Sequence, residues 1–314
     1  MAKTAFIFPG QGSQYAGMGR EFVHDFKVFS EVFEEASAKL GFDLLKTVTE
    51  GTNEELMQTE VTQPAILTVS KAILEVIKQE FGVNSDFTAG LSLGEYTALV
   101  HAGALNFADA VAIAKERGRI MQEAVPEGVG AMAPIVGLTY DEVAEFIKEI
   151  KGLGVVEISN FNSPSQVVVS GNIEAVQAAV DFIKKNAKTR IKALFLPVSA
   201  PFHTSMLKDA SEKFAEIIGN VEVSPMDQPV LSNVTGLPYT DISEVKPALV
   251  KQFYSTVLWK PSVDFMLQNG VDSFVEIGPG TSLSGLVRKT AAAAGIEVKI
   301  QNVENMETFK NLNF

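Results

Sequence analysis

The sequence contains no cysteine, and this absence excludes disulfide bridges, thiolate metal sites and cysteine nucleophiles. Basic residues are also scarce, with 26 Lys and Arg against 38 Asp and Glu and a formal net charge of −12. That balance argues against general nucleic-acid binding. No uncharged apolar run approaches the about 20 residues that cross a bilayer, and the run at the start is too short for a signal peptide. These absences predict a cytoplasmic protein with no membrane and no nucleic-acid partner.

The composition that remains is that of a globular protein, with 314 residues of which 46% are hydrophobic. Strand-like runs alternate with helical periodicity, which predicts an α/β fold with a parallel sheet. One segment has its own order of elements, namely strand, helix, strand, strand, helix and strand, and that order is ferredoxin-like. We therefore predict a ferredoxin-like subdomain at residues 127–197, inserted into a larger subdomain formed by residues 1–126 and 198–314.

The pentapeptide Gly-Leu-Ser-Leu-Gly at residues 90–94 matches the pattern G-x-S-x-G. In this pattern a serine lies on a sharp strand-to-helix turn with its hydroxyl exposed. The next residue, Glu95, suits the first turn of a helix, where a carboxylate interacts well with the helix dipole. Ser92 is therefore the candidate nucleophile, and the alternative is a glycine-rich turn without chemistry.

A serine nucleophile needs a base, and the chain has only three histidines. His24 lies among the phenylalanines of a predicted helix. His101 follows Ser92 on one predicted helix at a rise of about 13 Å, so it cannot easily fold back. His203 remains, and it precedes a predicted helix whose N-terminus would favour the neutral imidazole that a base needs. A capping or core histidine is the alternative.

Arg117 interrupts the apolar stripe of a helix predicted over residues 107–124. A buried guanidinium without an anion is costly, so this residue needs a partner. The partner is either an Asp or Glu of this chain or the carboxylate of a substrate, bound bidentately. The sequence leaves both possibilities open.

A glycine loop, Gly10-Gln11-Gly12, follows the first predicted strand. A dinucleotide site is disfavoured because Tyr15 occupies the third-glycine position of G-x-G-x-x-G. The alternative is a loop that presents Gln11 and backbone N–H groups to another site.

With these segments in view, the chain resembles the family of malonyl-CoA:acyl carrier protein transacylases of bacterial fatty-acid synthesis. Further motifs of the family are found at residues 160–164 (Asn-Phe-Asn-Ser-Pro), 201–203 (Pro-Phe-His) and 276–280 (Glu-Ile-Gly-Pro-Gly). The match runs nearly end to end in the order and spacing of the family. It implies an α/β-hydrolase-like large subdomain with the inserted small one. It also implies two partners, malonyl-CoA as the donor and holo-acyl carrier protein as the acceptor, and no metal or cofactor.

The resemblance also implies catalytic roles. Ser92 would carry the malonyl group in a ping-pong reaction, with His203 as its general base. The backbone N–H groups of Leu93 and Gln11 would form the oxyanion hole. Gln252 would help to position His203 in place of a triad aspartate. From the pattern alone, Gln252 is a surface residue of a helix predicted over residues 243–257.

The substrate-binding residues that the resemblance implies are Arg117, Asn160, Met121 and Phe202. Arg117 would hold the malonyl carboxylate, which favours the substrate as its anion. The ring of Phe202 would crowd an α-methyl group, so malonyl is expected over methylmalonyl. Leu91 departs from many relatives, which have histidine before the nucleophile, and the dyad does not require that histidine.

An acidic carrier protein needs a local basic patch for docking, because this chain is itself acidic. The candidates are Lys188, Arg190, Lys192, Arg288 and Lys289.

There are three alternative functions. A trans-acting polyketide malonyltransferase would share the same chemistry. A serine esterase or thioesterase would have its histidine near the C-terminus, and a binding module would not need the serine.

Overall fold

The structure is a computed structural model that describes residues 3–126, 128–196, 198 and 200–314. Two sheets of four strands each organise these residues into a large and a small subdomain. In this described part of the chain, no helix is both long enough and apolar enough to span a membrane.

The large subdomain is built on a parallel sheet, which confirms the prediction from the sequence. Its strands are β1 (Lys3–Phe8), β2 (Phe87–Gly90), β7 (Val271–Ile277) and β8 (Lys299–Val303), and they lie in the order β2-β1-β7-β8. Phe6 and Phe8 of β1 enter one hydrophobic core, whereas Ala5 and Ile7 enter another. Successive side chains of a strand point to opposite faces. Both faces of the sheet are therefore covered, and the buried part of β1, residues 5–8, is apolar throughout.

Helices pack on both faces of this sheet. Those before the small subdomain are α1 (Phe22–Asp25), α2 (Lys27–Leu40), α3 (Leu44–Glu50), α4 (Asn53–Met57), α5 (Thr59–Phe81), α6 (Gly94–His101) and α7 (Phe107–Glu123). Those after it are α10 (Lys208–Gly219), α11 (Val245–Gln252), α12 (Trp259–Gln268), α13 (Ser282–Ala294) and α14 (Met306–Lys310). The helix predicted over residues 243–257 is thus shorter than expected, because α11 ends at Gln252.

The small subdomain has the predicted ferredoxin-like order. It comprises β3 (Gly130–Val136), α8 (Tyr140–Lys148), β4 (Val156–Ser163), β5 (Gln166–Asn172), α9 (Ile173–Asn186) and β6 (Lys192–Ala193). The strands form an antiparallel sheet in the order β4-β5-β3-β6. All these elements fall inside residues 127–197, but the boundaries themselves stay a prediction because Glu127 and Pro197 lie outside the described residues.

The two subdomains are joined by main-chain hydrogen bonds along β4. The N–H of Phe161 donates to the carbonyl of Val257 at 2.9 Å, and the N–H of Val257 donates to the carbonyl of Ser159 at 2.8 Å. Asn160 is therefore held at the junction, where its side chain faces the cleft between the subdomains.

Candidate active site

Ser92 lies on a strained elbow between β2 and α6, with φ of 56°. The two flanking glycines are required there by close backbone contacts. A Cβ on Gly90 would lie 1.9 Å from the carbonyl carbon of Gly94, and one on Gly94 would lie 2.1 Å from the carbonyl oxygen of Phe8. Positive φ costs an L-residue about 1–2 kcal/mol, and such strain is concentrated at functional sites.

His203 is the base candidate that the structure brings to this serine. Its Nε2 lies 2.8 Å from Ser92 Oγ, and its Nδ1 lies 2.7 Å from the main-chain carbonyl oxygen of Gln252. A carbonyl can only accept, so Nδ1 carries the proton and Nε2 presents its lone pair to the serine hydroxyl. This is the tautomer that can take a proton from Ser92.

Gln252 is fully buried, so the surface position expected from its helical pattern is wrong. It is the last residue of α11, where carbonyl groups have no partner within the helix. That carbonyl occupies the place that an aspartate has in a catalytic triad. The negative end of a helix dipole also favours the imidazolium that forms when His203 takes a proton.

The other two histidines do not approach Ser92. His101 Nε2 lies 3.0 Å from Ser85 Oγ, and His24 is exposed in the last turn of α1.

Burial, reinforced by the charge of Arg117, lowers the pKa of His203 to about 3. Its neutrality was expected from a helix N-terminus, and His203 does precede a helix, since a short 3₁₀ turn at Ser205–Leu207 leads into α10. Desolvation is the main cause of the low pKa of His203.

Arg117 is a buried cation, 1% exposed, that contacts Ser92 directly. Its Nη2 donates to Ser92 Oγ at 3.0 Å and to Gln252 Oε1 at 2.8 Å, and its Nη1 donates to Gln63 Oε1 at 2.7 Å. Within the described residues it forms no ion pair with an Asp or Glu, and its Nε has no partner. The structural salt bridge is therefore not the explanation for this arginine. A guanidinium has five donors, so this one still has N–H groups to offer an anion.

The glycine loop after β1 packs against the elbow. A Cβ on Gly10 would lie 2.3 Å from the carbonyl oxygen of Leu91. In the described part of the chain, neither the Gln11 nor the Leu93 main-chain N–H donates a hydrogen bond. Backbone donors without partners beside a nucleophile are what an oxyanion hole requires.

A cleft of about 820 Å³ opens between the subdomains at these groups. Of the predicted site residues, those that line it are Gln11, Ser92, Arg117, Met121, Asn160, Phe202 and His203. Leu93 and Gln252 are buried behind its wall. The cleft is therefore lined by both subdomains, and the small subdomain contributes Asn160.

The predicted basic residues are exposed but do not all border the cleft. Lys188, Arg190 and Lys192 follow α9 in the small subdomain, and Arg288 and Lys289 lie on α13. Lys289 lines the cleft, whereas Arg288 faces a separate depression.

Three residues of the site were missed from the sequence. Gln63 contacts Arg117, and its polar side chain within the apolar stripe of α5 was an available signal. The Oδ1 of Asn233 accepts from the Ser92 N–H at 2.6 Å, and Glu95 binds Gln252. For Asn233 no local pattern indicated this contact.

The chain is similar to known acyltransferases over almost its whole length. The model of the acyl transferase domain family matches residues 5–309. The malonyl CoA-acyl carrier protein transacylase of Bacillus subtilis is 44% identical over 290 residues, which are 92% of this chain and 90% of that protein.

Solved structures agree with this similarity. The malonyl CoA-acyl carrier protein transacylase of Clostridium perfringens has a TM-score of 0.93 and 42% identity, covering 99% of this chain and 96% of that one. A matching chain also occurs in a complex described as a type II PKS acyl-carrier protein with its malonyl-transacylase. That chain has a TM-score of 0.94 and 39% identity, and the match covers 99% of this chain and 98% of that one.

Proposed function

We infer that this chain, which belongs to the acyl transferase domain family, transfers a malonyl group from malonyl-CoA to the phosphopantetheine thiol of an acyl carrier protein. The observation that carries the proposal is the contact of Arg117 with Ser92 in the cleft. A malonyl ester on Ser92 would have its free carboxylate one methylene beyond the ester carbonyl, which is within reach of that guanidinium. An enzyme for neutral esters would have no use for a buried cation there.

In the first half-reaction, Ser92 Oγ attacks the thioester carbonyl carbon while its proton passes to His203 Nε2. The oxyanion receives hydrogen bonds from the main-chain N–H groups of Leu93 and Gln11. The C–S bond then breaks, and His203 returns the proton to the leaving thiolate. The products are free coenzyme A and a malonyl-serine ester, and no cofactor takes part.

In the second half-reaction, the phosphopantetheine thiol of the carrier protein gives its proton to His203 and attacks the ester carbonyl. The C–O bond to Ser92 breaks, and His203 returns the proton to Ser92 Oγ. Arg117 holds the same carboxylate in both halves, so the acyl group stays in place while the two thiols exchange. Asn160, Met121 and Phe202 surround the acyl group in this scheme.

The test is the intact mass of the protein after brief incubation with malonyl-CoA, for wild type and for Ser92→Ala. A malonyl increment on the wild type only, discharged when holo-carrier protein is added, is the expected result. An increment lost to water equally fast without the carrier protein would indicate a serine esterase or thioesterase. No increment at all would contradict the proposal.

Fatty-acid synthesis is the pathway that we propose for this transfer. A malonyl-transacylase of a polyketide system is also similar to this chain, so a trans-acting polyketide malonyltransferase is the second candidate. Rates of discharge to the two kinds of carrier protein distinguish these two candidates.

Exposed basic residues would guide the acidic carrier protein to the cleft. Charge reversal at Lys188, Arg190 and Lys192, or at Arg288 and Lys289, should therefore raise the KM for the carrier protein and leave the KM for malonyl-CoA unchanged.

A further inference from the structure

A buried carboxylate lies behind the serine elbow and has no part in the reaction described above. Glu95, on α6, is 1% exposed. Its Oε1 accepts from the Tyr239 hydroxyl at 2.6 Å and from the Asn233 N–H at 3.2 Å, and its Oε2 accepts from Gln252 Nε2 at 2.5 Å. Every one of these partners donates, which suits an ionised carboxylate.

The amide of Gln252 connects this carboxylate to the arginine. Its Nε2 donates to Glu95, and its Oε1 accepts from Arg117 Nη2 at 2.8 Å. A guanidinium can only donate and an ionised carboxylate can only accept. Glu95 Oε2, together with the main-chain carbonyl of Ser92, which accepts from the same Nε2 at 3.1 Å, therefore fixes which end of the amide faces Arg117.

Arg117 and Glu95 also carry opposite charges. Arg117 and Glu95 are both buried, and in the described part of the chain neither forms a direct ion pair. A buried charge is costly unless an opposite charge lies close by. The amide of Gln252 contacts Arg117 at Nη2, so Glu95 compensates the charge without occupying Nη1 or Nε.

We propose that Glu95 is a positioning residue, which acts through the Gln252 side chain to hold Arg117 in the orientation that binds the acyl carboxylate. This rests on the proposed function. Glu95 does not orient His203, which is held by the main-chain carbonyl of Gln252 and not by its amide, so we expect it to act on the selection of malonyl. The rings of Tyr96 and Phe253, whose centroids lie 5.2 and 5.7 Å from the guanidinium carbon, flank Arg117 as well.

Glu95→Gln tests the proposal because it keeps the shape and removes the charge. The new amide must turn its NH₂ either toward Tyr239 and Asn233, where the main-chain N–H of Asn233 can only donate, or toward Gln252. In the latter case Gln252 reverses and presents its own NH₂ to Arg117, which cannot accept it. We expect the KM for malonyl-CoA in Ser92 loading to rise about 10-fold or more, the usual cost of a lost bond to a charged group.

Inactivation by a neutral alkyl fluorophosphonate is the second readout, because it needs Ser92 and His203 but no carboxylate clamp. Its rate should change by less than about threefold in Glu95→Gln. Tyr239→Phe is the matched control, and it is assayed well above the pKa of Glu95 because loss of the hydroxyl donor raises that pKa. There it removes one donor to Glu95 but keeps the charge and the amide orientation, so malonyl loading should stay within about threefold of wild type.

Glu95→Asp keeps the charge but moves it back by one methylene. It serves as the test variant if Glu95→Gln does not fold. Malonyl loading should be lower in Glu95→Asp than in wild type, and lower still in Glu95→Gln where that variant folds, at a constant fluorophosphonate rate. An equal loss with both reagents would overturn the proposal in favour of a purely structural role. Unchanged malonyl loading would overturn it as well. Failure of malonyl-CoA to load the wild type would overturn the proposed function itself, before any variant is made.

Discussion

Ser92 and His203 share a backbone conformation as well as a hydrogen bond. They have φ of 56° and 61°, and among the described residues they are the two with positive φ that are not glycine. Their side chains meet at 2.8 Å. Both halves of the dyad are thus presented from sharp turns, a conformation that L-residues adopt only at an energetic cost.

The first prediction concerns the stability cost of the elbow. Ser92→Gly and Ser92→Ala both remove the hydroxyl, but only glycine accepts positive φ freely. The glycine variant should therefore be the more stable by about 0.5–1 kcal/mol, after allowance for the larger entropy of unfolded glycine. Urea unfolding measures this difference.

The control for that comparison is the same pair of substitutions at Ser37, in the interior of α2. There glycine should be the less stable variant, by about 1 kcal/mol. A glycine variant at position 92 that is no more stable than the alanine variant would show that the elbow is unstrained.

Arg117→Lys should separate charge from geometry. An ammonium keeps the positive charge but cannot replace the planar fork that reaches Ser92, Gln63 and Gln252 together. We expect kcat/KM for malonyl-CoA loading to fall about 10- to 100-fold, and loading from acetyl-CoA to fall much less. Intact-mass time courses with each donor check this, and an equal loss for both donors would contradict a carboxylate-binding role.

Phe202→Ser should relax the choice of acyl group. Phe202 is buried at the wall of the cleft, and a smaller side chain leaves room for an α-methyl group. The preference for malonyl-CoA over methylmalonyl-CoA in direct competition should fall about 10-fold, since one methyl group in a pocket is worth about that factor. Unchanged selectivity would show that Phe202 does not determine the choice of acyl group.

The pH dependence should separate two groups of the site. Burial lowers the pKa of His203 to about 3, so the base stays neutral and the fluorophosphonate rate should be flat from about pH 5 to pH 8. Burial raises the pKa of Glu95 to about 7, so its carboxylate forms as the pH rises through that value.

If Glu95 orients Arg117, malonyl loading should therefore increase with pH around a midpoint near 7 and become flat in Glu95→Gln. The other charged or titratable groups facing Glu95 are Arg117, Tyr96 and Tyr239. Burial raises the pKa of both tyrosines, which keeps them protonated. Parallel pH profiles for the two reagents would contradict the assignment.

Much of this fold could be predicted because the signals are local. The alternation of apolar runs predicted the parallel sheet, the order of elements predicted the ferredoxin-like unit, and the solved relatives confirm that fold class. The apolar run at residues 190–198 predicts a strand, but among its described residues only Lys192–Ala193 pair with β3. The run at residues 229–234 likewise predicts a strand, but it forms only isolated bridges at Val230 and Leu231.

The sequence by itself determined the turn and its candidate nucleophile, because the close backbone contacts at Gly90 and Gly94 depend on residue types within five consecutive positions. It also left three candidate bases, of which one was reasonable. Only the tertiary structure decided what orients His203 and what surrounds Arg117. The partner of His203 is a main-chain carbonyl, available because α11 ends at Gln252, and every residue type has such a carbonyl. Glu95 and Gln252 are distant in the chain, and nothing local encodes a contact that exists only when the core around them is packed.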